Sequence, residues 1–200
     1  MSNEKKIESV PVGFANGISE SLYQAQIEGG EQAEISKERR DSIIANAAVA
    51  YGDFLDALEC NWREDPNSNN TPMRVAKAYV NDLWKGRYSS MSKVTAFPSD
   101  GYEGIVQESN IPLISQCSHH HQVIKGNVSI AYIPSKGGKV VGLSKMNRIV
   151  DLFGRRGAIQ EQLTVAIHNA VDTICEDNLG VAVHITATHN CVSCRGVQHQ

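Results

Sequence analysis

Val128-Ser129-Ile130-Ala131-Tyr132-Ile133 and Val181-Ala182-Val183-His184-Ile185-Thr186-Ala187-Thr188-His189 decide the fold class. In both stretches apolar side chains alternate with polar or small ones. A period of two sends successive side chains to opposite faces of an extended chain, so each reads as a half-buried strand. Pro134 and the turn residues Lys136-Gly137-Gly138 close the first strand, and Val140-Val141-Gly142-Leu143 reads as its short partner. Between that partner and the second stretch the period changes to 3.6. Met146, Ile149, Val150 and Phe153 recur at helical spacing after Ser144, read as a cap, and Gly157 is expected to end this helix. A longer helix from about Ala158 to Ile174 presents Leu163, Ile167, Ala170, Val171 and Ile174, and Asn178-Leu179-Gly180 turns the chain into the last strand. That strand is expected to deliver His189 and Cys191 near its end.

Upstream, Ile43, Ile44, Ala47, Ala48, Tyr51, Leu55 and Leu58 keep helical spacing behind an Asp41 or Ser42 cap. The run 61–70 has loop composition, and Thr71-Pro72 is read as the start of a second helix reaching about Trp84, with Val75, Tyr79 and Leu83 on one face. From Lys85 to Ser109 Gly, Ser and Pro interrupt short apolar pieces. Residues 1–40 hold little apolar periodicity and read as a mobile or weakly helical arm. The division is an arm at 1–40, a helical region at 41–84 and a sheet-and-helix domain at 85–200. Helices, strands, two helices and a strand make an α+β domain with an antiparallel sheet.

Two hundred residues, 41% hydrophobic and 6% aromatic, exclude a collagen, a coiled coil and a wholly disordered chain. Nineteen Lys and Arg against 22 Asp and Glu leave a net charge of −3, which offers no global field for nucleic acid or an anionic membrane. No apolar run reaches the roughly 18 residues of a membrane helix, and residues 1–17 contain no hydrophobic core of an export signal, so the chain is expected in the cytoplasm. Five cysteines without such a signal argue against a disulfide framework and for metal or catalytic use of some of them.

The densest chemistry is Cys117-Ser118-His119-His120-His121 and, about 70 residues on, His189-Asn190-Cys191-Val192-Ser193-Cys194. A thiolate and an imidazole three positions apart can grip one borderline-soft metal, and a thiolate from a second loop completes a zinc site. Cys60 and Cys175, among apolar neighbours at helix ends, read as packing residues, and His168 and His184 as structural. Lys145 and Arg148 lie three apart on the helix opened by Ser144, Arg195 follows the second cysteine cluster, and Arg74 stands in the first turn of the Thr71 helix. Each alone reads as solvated surface; together around a metal cleft they would neutralise a polyphosphate. Glu161, beside Gln160 in the first turn of the long helix, is either a carboxylate offsetting the helix dipole or an acceptor for two N–H groups of a guanine edge.

Cys117-x-x-His120, Gly126, Tyr132-Ile133-Pro134, Gly142-Leu143-Ser144-Lys145-x-x-Arg148-Ile149-Val150, Ile159-Gln160-Glu161-x-Leu163-Thr164 and His189-x-Cys191-x-x-x-Arg195-Gly196-Val197 closely resemble GTP cyclohydrolase I, in order and spacing. Thr71-Pro72-x-Arg74-Val75-Ala76 extends the resemblance upstream, to cover about residues 41–198. The resemblance implies a tunnelling fold, an antiparallel sheet with helices on one face that joins its copies in a barrel. It implies a homodecamer of two stacked pentamers, with active sites between subunits. It further implies Zn2+ on Cys117, His120 and Cys191 with one position left for water, and GTP on Gln160 and Glu161 at guanine. Lys145, Arg148, Arg195 and Arg74 would surround the triphosphate with Ser144 nearby, and His119 and His189 would transfer protons. The implied reaction opens the guanine imidazole ring, releases formate and ends at 7,8-dihydroneopterin triphosphate, a precursor of folates, other pterins or 7-deazaguanines.

The chain departs from the family at Ser118, where most members carry Glu, and at His121-Gln122-Val123-Ile124, commonly more apolar. Relatives also usually continue past the position of Gln200 into a helical segment. Two other readings stand beside a working cyclohydrolase: a relative that binds GTP but stalls, and a structural Cys3His zinc module using Cys194. Against the latter, a catalytic zinc needs an open position, and along an extended chain residues 191 and 194 point to opposite faces.

Overall fold

A computed structural model describes residues 35–90, 96–175 and 177–198. The arm expected at 1–40 lies outside them as far as residue 34. Helix α1 (Lys37–Ala57) begins inside that stretch, because the Ser36 hydroxyl accepts from the Arg39 N–H at 3.2 Å and caps the helix there. Asp41 and Ser42 are therefore interior to α1. Helix α2 (Thr71–Ala78) is preceded by Asn70 at the cap position, with Pro72 in its first turn where no N–H is missed. Instead of running on to Trp84, the chain widens at once into a π turn (Tyr79–Leu83), closed by Trp84 N–H donating to Tyr79 C=O at 2.8 Å, and then a 3-10 turn (Lys85–Arg87). Ile44 and Ala48 of α1 pack on Ala76 and Val80 as a small core of their own.

The main core lies under a three-stranded antiparallel sheet in the order β2 (Val106–Gln116), β3 (Val123–Pro134), β5 (Asn178–His189). The short β1 (Ala96–Pro98) and β4 (Lys139–Val141) pair separately. Helices α3 (Leu143–Gly154) and α4 (Gln160–Ile174) cover one face of the larger sheet. On β3, Val128, Ile130 and Tyr132 point into that core, as the alternation predicts, and Ile124 is buried near the start of the strand. Met146, Ile149, Val150 and Phe153 of α3 and Leu163, Ile167, Ala170 and Val171 of α4 meet them. The helical spacing read from the sequence thus names the buried faces of both helices.

The ends of elements differ from the sequence reading. Helix α3 takes Gly142 as its cap, with extended backbone, while Ser144 is already helical, exposed and makes no cap bond. The helix stops at Gly154, and Gly157 sits in the link to α4 at φ +72°, a left-handed conformation that suits glycine. A Cβ there would also lie 2.8 Å from the Trp84 indole nitrogen. Gly126 is needed for another reason: a Cβ would fall 2.0 Å from the Thr186 carbonyl oxygen across the β3–β5 pair. Cys175 is buried as expected, whereas Cys60 is exposed just beyond α1, where no core reaches it. His184 is exposed on β5, and His168 is half-buried beside Asn169.

Candidate active site

The Cys117–His121 segment is the connection between β2 and β3. Cys117 N–H donates to the Gln122 carbonyl and His121 N–H to the Cys117 carbonyl, each at 2.8 Å. The second bond closes one helix-like turn, which puts positions i and i+3, Cys117 and His120, on the same side. His121 leaves the turn at φ +52°, a conformation that costs an L residue about 1 kcal/mol and has to be held by its surroundings. Cys117 is buried; His119, His120 and His121 are exposed.

The partner segment arrives by sheet register. Ile124 of β3 pairs with His189, so the end of β5 lies beside the β2–β3 connection. There the chain leaves extended geometry and coils into a single turn, α5 (Asn190–Ser193). One atom each from Cys117, His120 and Cys191 then lie within 4.8 Å of one another. In a tetrahedral zinc site with ligands at 2.0–2.3 Å, such atoms stand about 3.5–3.8 Å apart, so the cluster needs little contraction to close on an ion. Burial holds the Cys191 thiol above its ordinary value, hydrogen bonding to and charge on Cys117 push it the same way, and Arg195 works against them. A thiol raised in this way beside a second thiol, with an imidazole next to them, is a donor set that suits a soft dication. The residues fit Zn2+. Because 191 and 194 sit on a helical turn, the opposite-faces argument for Cys194 does not apply; Cys194 is nonetheless exposed and outside the group.

At the start of α4, Gln160 Oε1 accepts from His189 Nε2 at 2.8 Å. That bond puts a proton on Nε2 and leaves Nδ1 as the free acceptor in the neutral ring. The bond occupies the Gln160 side chain, which the family resemblance would turn to guanine. Glu161 is exposed beside it in the same first turn. His119 meets His120 edge-on with ring centroids 6.2 Å apart. These two and His121 line an apolar groove of about 700 Å3 against α1, α2 and the π turn.

The cations are dispersed. Arg148 lines a separate cavity of about 310 Å3 with Lys85, Ser89 and Asn147. Lys145 is half-buried and Ser144 exposed on α3, Arg195 lies near Cys191, and Arg74 donates to the Asn67 carbonyl at 3.4 Å. Within one chain the structure brings together Cys117, His120 and Cys191, and His189 with Gln160, but it does not bring Arg74 or Arg148 to that cluster. Sequence reasoning missed Gln116 and Tyr79. Gln116 Nε2 donates to the His121 carbonyl at 2.8 Å and to the Tyr79 hydroxyl at 3.2 Å, and the Tyr79 hydroxyl stands 3.3 Å from His121 Nδ1. The available signal was a carboxamide directly before Cys117, at the end of a run in which Ile111 and Leu113 point inward.

The family model described as GTP cyclohydrolase I matches residues 47–200. A GTP cyclohydrolase 1 of Haemophilus ducreyi is 35% identical over 185 residues, covering 90% of this chain and 83% of the relative. One from Shewanella baltica is 37% identical over 164 residues, 81% of this chain and 72% of the relative. Another from Shewanella sp. strain ANA-3 is 42% identical over 163 residues, 80% and 72% of the two chains.

Proposed function

The chain belongs to the GTP cyclohydrolase I family, and we propose that it converts GTP to 7,8-dihydroneopterin triphosphate and formate at a zinc site. The observation that carries this reading is the convergence of Cys117, His120 and Cys191 within 4.8 Å from two segments far apart in sequence. As a member of the family the chain is an enzyme, a GTP cyclohydrolase.

Cys117, His120 and Cys191 would hold Zn2+, whose Lewis acidity lowers the pKa of a water toward neutrality at the reacting carbon, C8 of guanine. His119 protonates the adjacent imidazole-ring nitrogen as C8 is attacked, the general-acid role that an imidazole can fill. His189 carries its proton on Nε2 against Gln160 and takes protons at Nδ1. Glu161 accepts two N–H bonds of the guanine edge and so selects guanine over adenine, which cannot offer that pair of donors. Lys145, Arg148, Arg195 and Arg74 neutralise the triphosphate, with the Ser144 hydroxyl beside it.

Dispersal of these cations over one chain supports completion of the site by a neighbouring subunit. The three-stranded sheet has β2 and β5 at its edges among the described residues, and an edge strand is a template for pairing with another chain. Copies joining there would form the barrel of a tunnelling fold, in a homodecamer of two pentamers. No helix among the described residues is long and apolar enough to cross a membrane. All five cysteines are free thiols, which suits the reducing cytoplasm. A closed Cys3His centre would need Cys194, which lies outside the group.

Incubation of the zinc-loaded protein with GTP tests the reading: formate and a pterin chromophore should appear together. GTP that survives at high enzyme concentration would refute it.

A further inference from the structure

We propose that Gln116 is a positioning residue for the Cys117–His120 turn, tying both ends of the metal-binding hairpin to the core and to Tyr79 of the π turn. The proposal rests on the metal-site reading above and concerns what holds its ligands in place. Gln116 directly precedes Cys117, and His121 directly follows His120. The Gln116 main chain fixes the start of the turn, its carbonyl accepting from Ala158 N–H at 3.0 Å. The side chain fixes the end. A carboxamide has two N–H donors; here one goes to the His121 carbonyl at 2.8 Å and the other to the Tyr79 hydroxyl at 3.2 Å.

Those two acceptors decide the orientation of the amide, because a rotated group would set Oε1 against the His121 carbonyl oxygen. Tyr79 passes the constraint on, its hydroxyl standing 3.3 Å from His121 Nδ1. Trp84 meets both rings edge-on, with centroids 5.1 Å from Tyr79 and 5.1 Å from His121. This cage surrounds the one residue of the turn that holds a positive φ, at +52°. Gln116 is only 3% exposed, so a side chain without donors would leave the His121 carbonyl unpaired at the edge of the core. Freed from the cage, His121 can relax from its left-handed conformation, and the separation of the Cys117 sulfur and the His120 imidazole is no longer set.

The test uses the full chain, stripped of metal and titrated with Zn2+ against a chromophoric chelator, then with Co2+ to record thiolate charge-transfer and d–d bands. Gln116→Leu keeps the volume and removes both donors; its zinc affinity should fall by about 10–100-fold, as for two neutral hydrogen bonds lost together. Its cobalt bands should shift and broaden. Tyr79→Phe should weaken zinc by roughly 2–10-fold, as for one neutral hydrogen bond, and its cobalt bands should shift as well. Zinc affinities within twofold of wild type and unaltered cobalt spectra in both variants overturn the proposal. If Gln116→Leu does not fold by circular dichroism, Tyr79→Phe decides by the same criterion. A Cys117→Ser control separates the two readings. If that control leaves cobalt binding intact, the metal site is wrong and the proposal falls with it; if it abolishes the thiolate bands while Gln116→Leu does not alter them, only the role of Gln116 is refuted.

Discussion

Replacing Gln160 by Leu removes one hydrogen-bond acceptor and little volume. In the structure Gln160 Oε1 lies 2.8 Å from His189 Nε2, at the first residue of α4, where the helix fixes the backbone that carries it. A hydrogen bond to a group that becomes charged contributes about 1.5–3 kcal/mol, against roughly half that for a neutral pair. If His189 takes a proton at Nδ1 during the reaction, the bond to Gln160 strengthens as the ring becomes cationic, so its loss falls mainly on the transition state. Only that increment, about 0.75–1.5 kcal/mol, acts on kcat, so at about 1.4 kcal/mol per tenfold kcat should drop roughly 3–12-fold. KM for GTP should change little, since a uniform loss of binding would raise KM and spare kcat. Steady-state formation of the pterin chromophore over a range of GTP concentrations, with zinc content matched to wild type, separates the two parameters. A raised KM at unchanged kcat would show that Gln160 serves guanine rather than His189. Unchanged kcat and KM would refute both uses.

Glu161→Gln should weaken GTP binding far more than ATP binding, measured by calorimetry; equal losses would make Glu161 a helix-start charge only. His119→Ala should keep its zinc but lose about 10²–10⁴-fold in product formation, the range of general acid–base catalysis; loss of the metal from this variant would contradict its role. The buried Cys175 thiol, pushed up to about 12 by burial, contributes stability that is fully present below the unfolded thiol's pKa of about 8.5. That contribution is lost as pH rises from there through the folded value, because the unfolded chain sheds a proton that the native state retains. Urea denaturation of Cys175→Ala should therefore lose stability less steeply than wild type between pH 8 and 10.5, and parallel losses would refute it.

Much of the site was legible because its chemistry is local. Cys-x-x-His needs only one turn to face both ligands the same way, and Cys117 and His120 do so through the bond from His121 N–H to the Cys117 carbonyl. The apolar periods named the buried faces of α3, α4 and β3 for the same reason: a residue three or four positions along a helix, or two along a strand, is a neighbour whatever the rest of the chain does. Caps were less legible. Ser36, Asp41 and Ser42 all carry a capping side chain; α1 starts at the first of them, and Arg40 in its opening turns donates to the Tyr88 carbonyl at 3.3 Å, a partner that no local pattern names.

What the sequence determined by itself was therefore the helices α1 to α4, the strands β3 and β5, the inward faces of α3, α4 and β3, and the residue types of the metal cluster, since these depend on spacing along the chain. Strand β2, whose register shifts between Glu108 and Ile111, keeps no single period and was not among them. Tertiary structure alone decided which distant residues meet. The Ile124–His189 register carries Cys191 to Cys117, the start of α4 brings Gln160 to His189, and the π turn sets Tyr79 between Gln116 and His121. The coil at Asn190–Ser193 likewise replaced an expected extension of the strand. No periodicity encodes these meetings, because each joins elements separated by dozens of residues. Their geometry is fixed only when the sheet and its covering helices bury their apolar faces together, a cooperative event in which the polar side chains take the partners the core leaves within reach.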